Sequence, residues 1–114
     1  MLSDLDSFFF YHAEPLRSTI ASLRTIVRQY AEDVSESWEG NRPVYKFRGD
    51  LICSLDIDKN TEEPILIFID DIKASDDISI DKTSPIVRVS TENEIDVATI
   101  ESLLEQAIEN VSQK

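Results

Sequence analysis

Apolar positions recur at helical spacing first from Leu16, through Ile20, Leu23, Val27, Tyr30 and Val34. Steps of four and three put them on one stripe about five turns long, wide enough to bury against a sheet. Pro15 suits the opening of that helix, where a missing N–H costs nothing. A shorter helix is expected over Ser3–Tyr11, with Ser3 or Asp4 as its cap. Aromatic residues lie on all its sides, so it must pack on more than one side or against a partner. Glu39-Gly40-Asn41-Arg42-Pro43 breaks the pattern and reads as a turn. Val44–Phe47 is a short strand and Arg48-Gly49-Asp50 a tight turn. Leu51–Asp56 then alternates, with Leu51, Cys53 and Leu55 on one face. Ile57–Pro64 is a polar loop, Ile65–Ile69 a continuous apolar run expected as a central strand, and Ile86–Ser90 a final strand. The last helix starts near Asp96, and Ile100, Leu103, Leu104, Ala107, Ile108 and Val111 form its apolar face. Helix, three or more antiparallel strands, helix predicts an α+β fold: a two-layer sandwich with helices packed on one face of an antiparallel sheet.

Composition narrows the reading. The chain of 114 residues suits one domain, expected to span 1–114, with enough apolar content for a core. It carries 23 acidic and 11 basic residues, a net charge of −12. That charge disfavours nucleic acid and anionic membranes, which need positive charge facing phosphate. The imbalance is uneven: residues 1–54 hold 8 acids and 6 bases, residues 55–114 hold 15 acids and 5 bases. A single cysteine, Cys53, permits no intrachain disulfide and no thiolate zinc cluster. No apolar run approaches a membrane span, and Phe8-Phe9-Phe10-Tyr11 is too short and too acidic in its flank for a secretory signal, so a cytoplasmic protein is expected.

Three stretches resemble a known family: EPLRSTIASLRTIV, then SWEGNRPVYKFRGDLICSLDID, and SPIVRVSTENEIDVATIESLLEQAIE. They look like the YdhG-like domains of unknown function, which share a frataxin-like fold. The carrying features are an E-P-x-R opening helix with L-R downstream, and a Trp followed by Gly and Pro before an aromatic strand. A hairpin tipped by Asp-Lys, an I-x-R-V strand and an I-E-x-L-L closing helix complete them. The resemblance covers Glu14–Glu109 and implies an α-β-sheet-α sandwich. It further implies handling of iron or another divalent cation by surface carboxylates. Two positions depart from the pattern. The first long helix carries arginines where frataxins gather acids. Asn41 stands where the family glycine usually sits, and Asn tolerates the left-handed conformation of such a turn.

Candidate chemistry is sparse. Asp70, Asp71, Asp76, Asp77 and Asp81 are the densest acids in one segment, and hard cations prefer carboxylate oxygen; the alternative is a solvated loop. Glu101, Glu105 and Glu109 sit one turn apart on a helix face, a metal ridge or a plain exposed face. Asp56, Asp58 and Asn60 begin like a calcium loop, but Thr61 and Ile67 stand where glycine and the bidentate glutamate belong, so a hairpin tip is expected. Arg17, Arg24 and Arg28 form a stripe that could grip an acidic partner or compensate charge internally. Trp38, Arg42 and Tyr45 could line a pocket with one cation, or belong to the core. Phe8, Phe9, Phe10 and Tyr11 are candidates for self-association. His12 is the sole histidine and nothing around it prepares a base, so no catalytic set is read. The expected function is a binding or interaction domain. The alternatives are weak iron binding and an enzyme without a recognisable catalytic set.

Overall fold

A computed structural model describes residues 3–69 and 86–113. Two helices, α1 (Asp4–Phe10) and α2 (Leu16–Tyr30), precede five strands, β1 (Val34–Glu39), β2 (Arg42–Phe47), β3 (Asp50–Ile57), β4 (Pro64–Phe68) and β5 (Ile86–Arg88), and α3 (Val97–Ser112) ends the chain. The strands pair in chain order, each antiparallel to the next. One face of the sheet supplies Tyr45, Phe47, Cys53, Leu55, Leu66 and Phe68 to a single core. That core also takes Phe9 from α1, Ile20, Leu23 and Val27 from α2, and Ile100, Leu103, Leu104, Ala107 and Val111 from α3. The expected α+β layering therefore holds, with three helices and five strands among the described residues.

Local chemistry sets the boundaries. Ser3 caps α1, its hydroxyl accepting from the Asp6 amide at 3.1 Å. Asp96 caps α3, accepting from the Thr99 amide at 3.1 Å and the Thr99 hydroxyl at 2.7 Å. At α2 the N-cap is Pro15, whose ring carries no acceptor for a capping hydrogen bond. Glu14 substitutes, accepting from the Ser18 amide at 2.7 Å and from the Ser18 hydroxyl. The β1–β2 loop is Gly40-Asn41 and the β2–β3 loop is Arg48-Gly49, all at positive φ, as two-residue hairpin turns require. Asn41, at φ 63, adopts the left-handed conformation expected of it. Arg48 holds φ 51 because its neighbours secure it: its Nε lies 2.7 Å from Asp33 Oδ2 and its guanidinium sits 5.0 Å from the Phe47 ring.

Two expectations are corrected. Val34 does not continue the first long helix; Ala31 is extended and Val34 opens β1. Val34, Glu36 and Trp38 alternate toward the helices, a period-two signal that the helical spacing from Tyr30 masks. Leu51 does not share the core face with Cys53 and Leu55. The β2–β3 register passes from Tyr45 opposite Cys53 to Lys46 opposite Leu51. Ile52 is thus an extra residue, the signature of a bulge, so Ile52 is buried and Leu51 is 47% exposed. The Ile65–Ile69 run is the interior strand expected, with Leu66 and Phe68 buried on the core face and Ile65 and Ile67 half-buried on the other.

Candidate functional site

Two places gather polar chemistry. The first lies between α2 and β1. The Glu36 side chain points toward the helices and is only 4% exposed. Burying a carboxylate alone would be prohibitive. Arg24, one helix away, meets it with Nη2 at 2.6 Å from Oε1 and Nε at 2.9 Å from Oε2. The Tyr45 hydroxyl, from the neighbouring strand, donates to Oε2 at 2.8 Å. Arg28 Nη1 stands farther off, at 3.7 Å. The Phe9 ring lies 4.4 Å from the Arg24 guanidinium carbon, close enough for a cation–π contact. The hydrogen bond to Glu36 raises the Arg24 pKa further. Burial, then the Glu36 charge, pushes the Tyr45 phenol far above its ordinary value. This node ties α1, α2, β1 and β2 together, and it commits the Nε–Nη2 edge of Arg24 to Glu36.

The second place is a cleft of about 510 Å³ between the α1–α2 turn and the β3–β4 hairpin. Tyr11, His12, Pro15 and Leu16 line one side, Ile57, Thr61 and Glu62 the other, with Thr91 and Glu14 at its edges. Phe8 anchors the turn: its ring meets Phe9 at 5.2 Å, His12 at 5.5 Å and Trp38 at 5.9 Å. The two aromatic residues that follow Phe9 are left outside, Phe10 at 61% and Tyr11 at 77% exposure. The hairpin is fixed from below. Asp58 accepts from the Asn60 amide at 2.8 Å and pairs with Arg88 of β5, and that arginine holds the Asp58 carboxyl below its usual range. Asp56 pairs with Arg42 at 3.2 Å. The Asp56–Asn60 segment is thus an ordinary hairpin tip whose two aspartates are engaged by arginines.

The other predicted residues separate. Arg17 stands apart from Arg24 and Arg28, 3.8 Å from Glu14. Trp38, Arg42 and Tyr45 do not make a pocket. Trp38 and Tyr45 turn to the helices, Tyr45 fully buried, whereas Arg42 alternates to the opposite face of β2 and meets Asp56 there. Glu101, Glu105 and Glu109 are exposed along α3. They face Tyr30, whose phenol is pushed up by burial first and then by these three charges. Among the described residues no three histidine, cysteine, aspartate or glutamate side chains come together as a metal site. Asp70, Asp71, Asp76, Asp77 and Asp81 lie outside the described residues. Cys53 is buried, and burial pushes its thiol up, away from reactivity. Of Phe8–Tyr11, only Phe10 and Tyr11 are free to meet another molecule.

Sequence reasoning missed Glu36, Glu14 and Glu62. Glu36 had a signal, a carboxylate at the inward position between Val34 and Trp38. Glu62 had none, since its place in the cleft is set by a hairpin conformation. No helix among the described residues is long and apolar enough to cross a membrane. Searches of protein-family models, curated proteins and solved structures find no match to this chain.

Proposed function

We propose that this chain is an interaction domain that docks a partner protein at the end of α1, over Phe10, Tyr11 and the adjoining cleft. The carrying observation is the exposure of two consecutive aromatic side chains in a protein that otherwise buries its aromatic residues well. Exposed aromatics beside a concave surface are typical of binding anchors. The net charge of −12 favours a partner of opposite charge over a second copy, because two copies would repel. The arginine stripe contributes Arg17 and Arg28 as peripheral contacts at most, since Arg24 is committed to Glu36. The resemblance to YdhG-like, frataxin-like domains is compatible with this reading: helices layered on an antiparallel sheet are the arrangement it implies.

The test compares wild type with a Phe10→Ser/Tyr11→Ser double variant. Both positions are exposed, so circular dichroism and thermal stability should be nearly unchanged. Proteins cross-linked to the wild-type chain in cells should be lost from the variant. An unchanged cross-linking pattern overturns the reading, and so does sedimentation that shows a dimer dissociated by the double variant.

A further inference from the structure

Resting on that reading of the docking end, we infer that the cleft between the α1–α2 turn and the β3–β4 hairpin is a subsite for one cationic side chain of the partner, a lysine or an arginine, with Glu62 as its specificity residue. The walls match the two parts of such a side chain. Pro15, Leu16 and Ile57 present aliphatic surface, which suits a methylene stem whose charged head stays in a polar place. The Tyr11 ring supplies a π face and Thr91 a hydroxyl oxygen, whereas the Thr61 hydroxyl is already taken, accepting from Arg88 Nη1 at 3.3 Å and the Glu63 amide at 3.4 Å.

The two carboxylates differ in a way that separates structure from binding. Glu14 is spent on α2, held by both donors of Ser18. Glu62 makes no side-chain hydrogen bond or ion pair among the described residues, whereas its neighbour Asp58 is paired with Arg88. Glu62 also sits at φ 58. That conformation is unfavourable for glutamate and free for glycine. A turn selected for stability alone would place glycine or asparagine there. The chain instead keeps a strained residue in the cleft wall whose carboxylate has no partner among the described residues, in a protein whose field already attracts cations.

The experiment titrates two tripeptides into the full-length chain and follows backbone amide spectra: acetyl-Leu-Lys-Leu-amide, and the same peptide with uncharged norleucine at its centre. The lysine peptide should give saturable shifts at Tyr11, Leu16, Ile57, Thr61 and Thr91. It should bind about tenfold tighter than the norleucine peptide, the worth of one charge-assisted hydrogen bond. Glu62→Gly should raise the melting temperature, because it frees the left-handed position, and should bring the lysine peptide down to the norleucine level. Glu62→Gln should weaken lysine binding without the gain in stability. Equal binding of the two peptides, or an unchanged lysine affinity in both variants, overturns the cationic subsite while leaving the docking surface in place. Shifts spread over the whole acidic surface overturn it as counterion binding. If neither peptide perturbs the cleft, the subsite and the docking reading fall together.

Discussion

Glu36 holds the one ion-paired carboxylate among the described residues that is almost wholly withdrawn from water, and Arg24 is its closest cation, with Nη2 2.6 Å from Oε1 against 3.7 Å for Arg28. Arg24 and Glu36 come from different elements, α2 and β1, and neither is satisfied by its own surroundings. The pair therefore fixes how the helix sits on the edge of the sheet. Its worth lies in registry more than in net energy, because the cost of desolvating two charges offsets their attraction.

This makes a sharp expectation for a mutant cycle. Arg24→Ala leaves Glu36 buried with Tyr45 and a distant Arg28 as partners, and should cost about 3–5 kcal/mol in urea unfolding. The double change Arg24→Met/Glu36→Leu removes both charges and keeps the volume. It should return to within about 1 kcal/mol of wild type or exceed it. Strictly additive losses in the cycle would show that the two residues do not act as a pair.

Tyr45 completes the same node and predicts an alkaline signature. Its phenol is fully buried and its pKa is raised, first by burial and then by Glu36. The unfolded chain ionises this tyrosine near pH 10. The stabilising contribution is therefore complete below about pH 10 and is lost as pH rises above it, where only the unfolded state releases the proton. Phenolate absorbance from Tyr45 should appear together with unfolding and not before it. Tyr45→Phe should cost about 1.5–3 kcal/mol at neutral pH, the value of a hydrogen bond to a charged group. It should also flatten the fall of stability at high pH.

Much of the fold is visible in the sequence because it follows periodicity. The apolar steps of α2 from Leu16 to Tyr30, the start of α3 near Asp96 and the turns on either side of β2 are local features, and local physics decides them. β1 is hidden for a non-local reason. Its central inward residue is Glu36, a polar residue that becomes acceptable only when Arg24 and Tyr45 arrive from elsewhere. The cleft is hidden likewise, since its walls come from the α1–α2 turn, the β3–β4 hairpin and Thr91, which meet only in the folded chain. The Trp38–Arg42–Tyr45 group failed as a pocket because strand alternation sends Arg42 to the far face.

The bulge in β3 is a case where two adjacent residues exchange expectations. Leu51 continues the alternation with Cys53 and Leu55, yet Ile52 is the buried one. Ile52→Ala should cost about 2–5 kcal/mol, as for other buried large-to-small changes. Leu51→Thr should stay within about 0.5 kcal/mol of wild type. Denaturant midpoints for the two variants decide it. The reverse order would mean that the strand runs without the extra residue.

Asp96 offers a test of how the last helix is held. Its carboxylate accepts from both donors of Thr99, and these hydrogen bonds, the side-chain one first, lower its pKa from the ordinary value of 3.8. A carboxyl with a lowered folded pKa stabilises the native state fully above its unfolded pKa and loses that effect as pH falls through the folded one. The contribution of Asp96 is thus expected to be flat from neutral pH down to about pH 4 and to fade below it. Asp96→Ala removes the cap and should lower stability at neutral pH, with the gap to wild type narrowing in acid. Asp96→Asn keeps an acceptor of nearly equal capping strength but cannot titrate. It should lie close to wild type at neutral pH and overtake it in the acid range, where the native aspartate takes up its proton. Urea unfolding of the three proteins from about pH 7 to pH 3 gives the answer. If the Ala and Asn variants are equally stable across that range, with no constant gap between them, the hydrogen bonds to Thr99 do not hold the helix start.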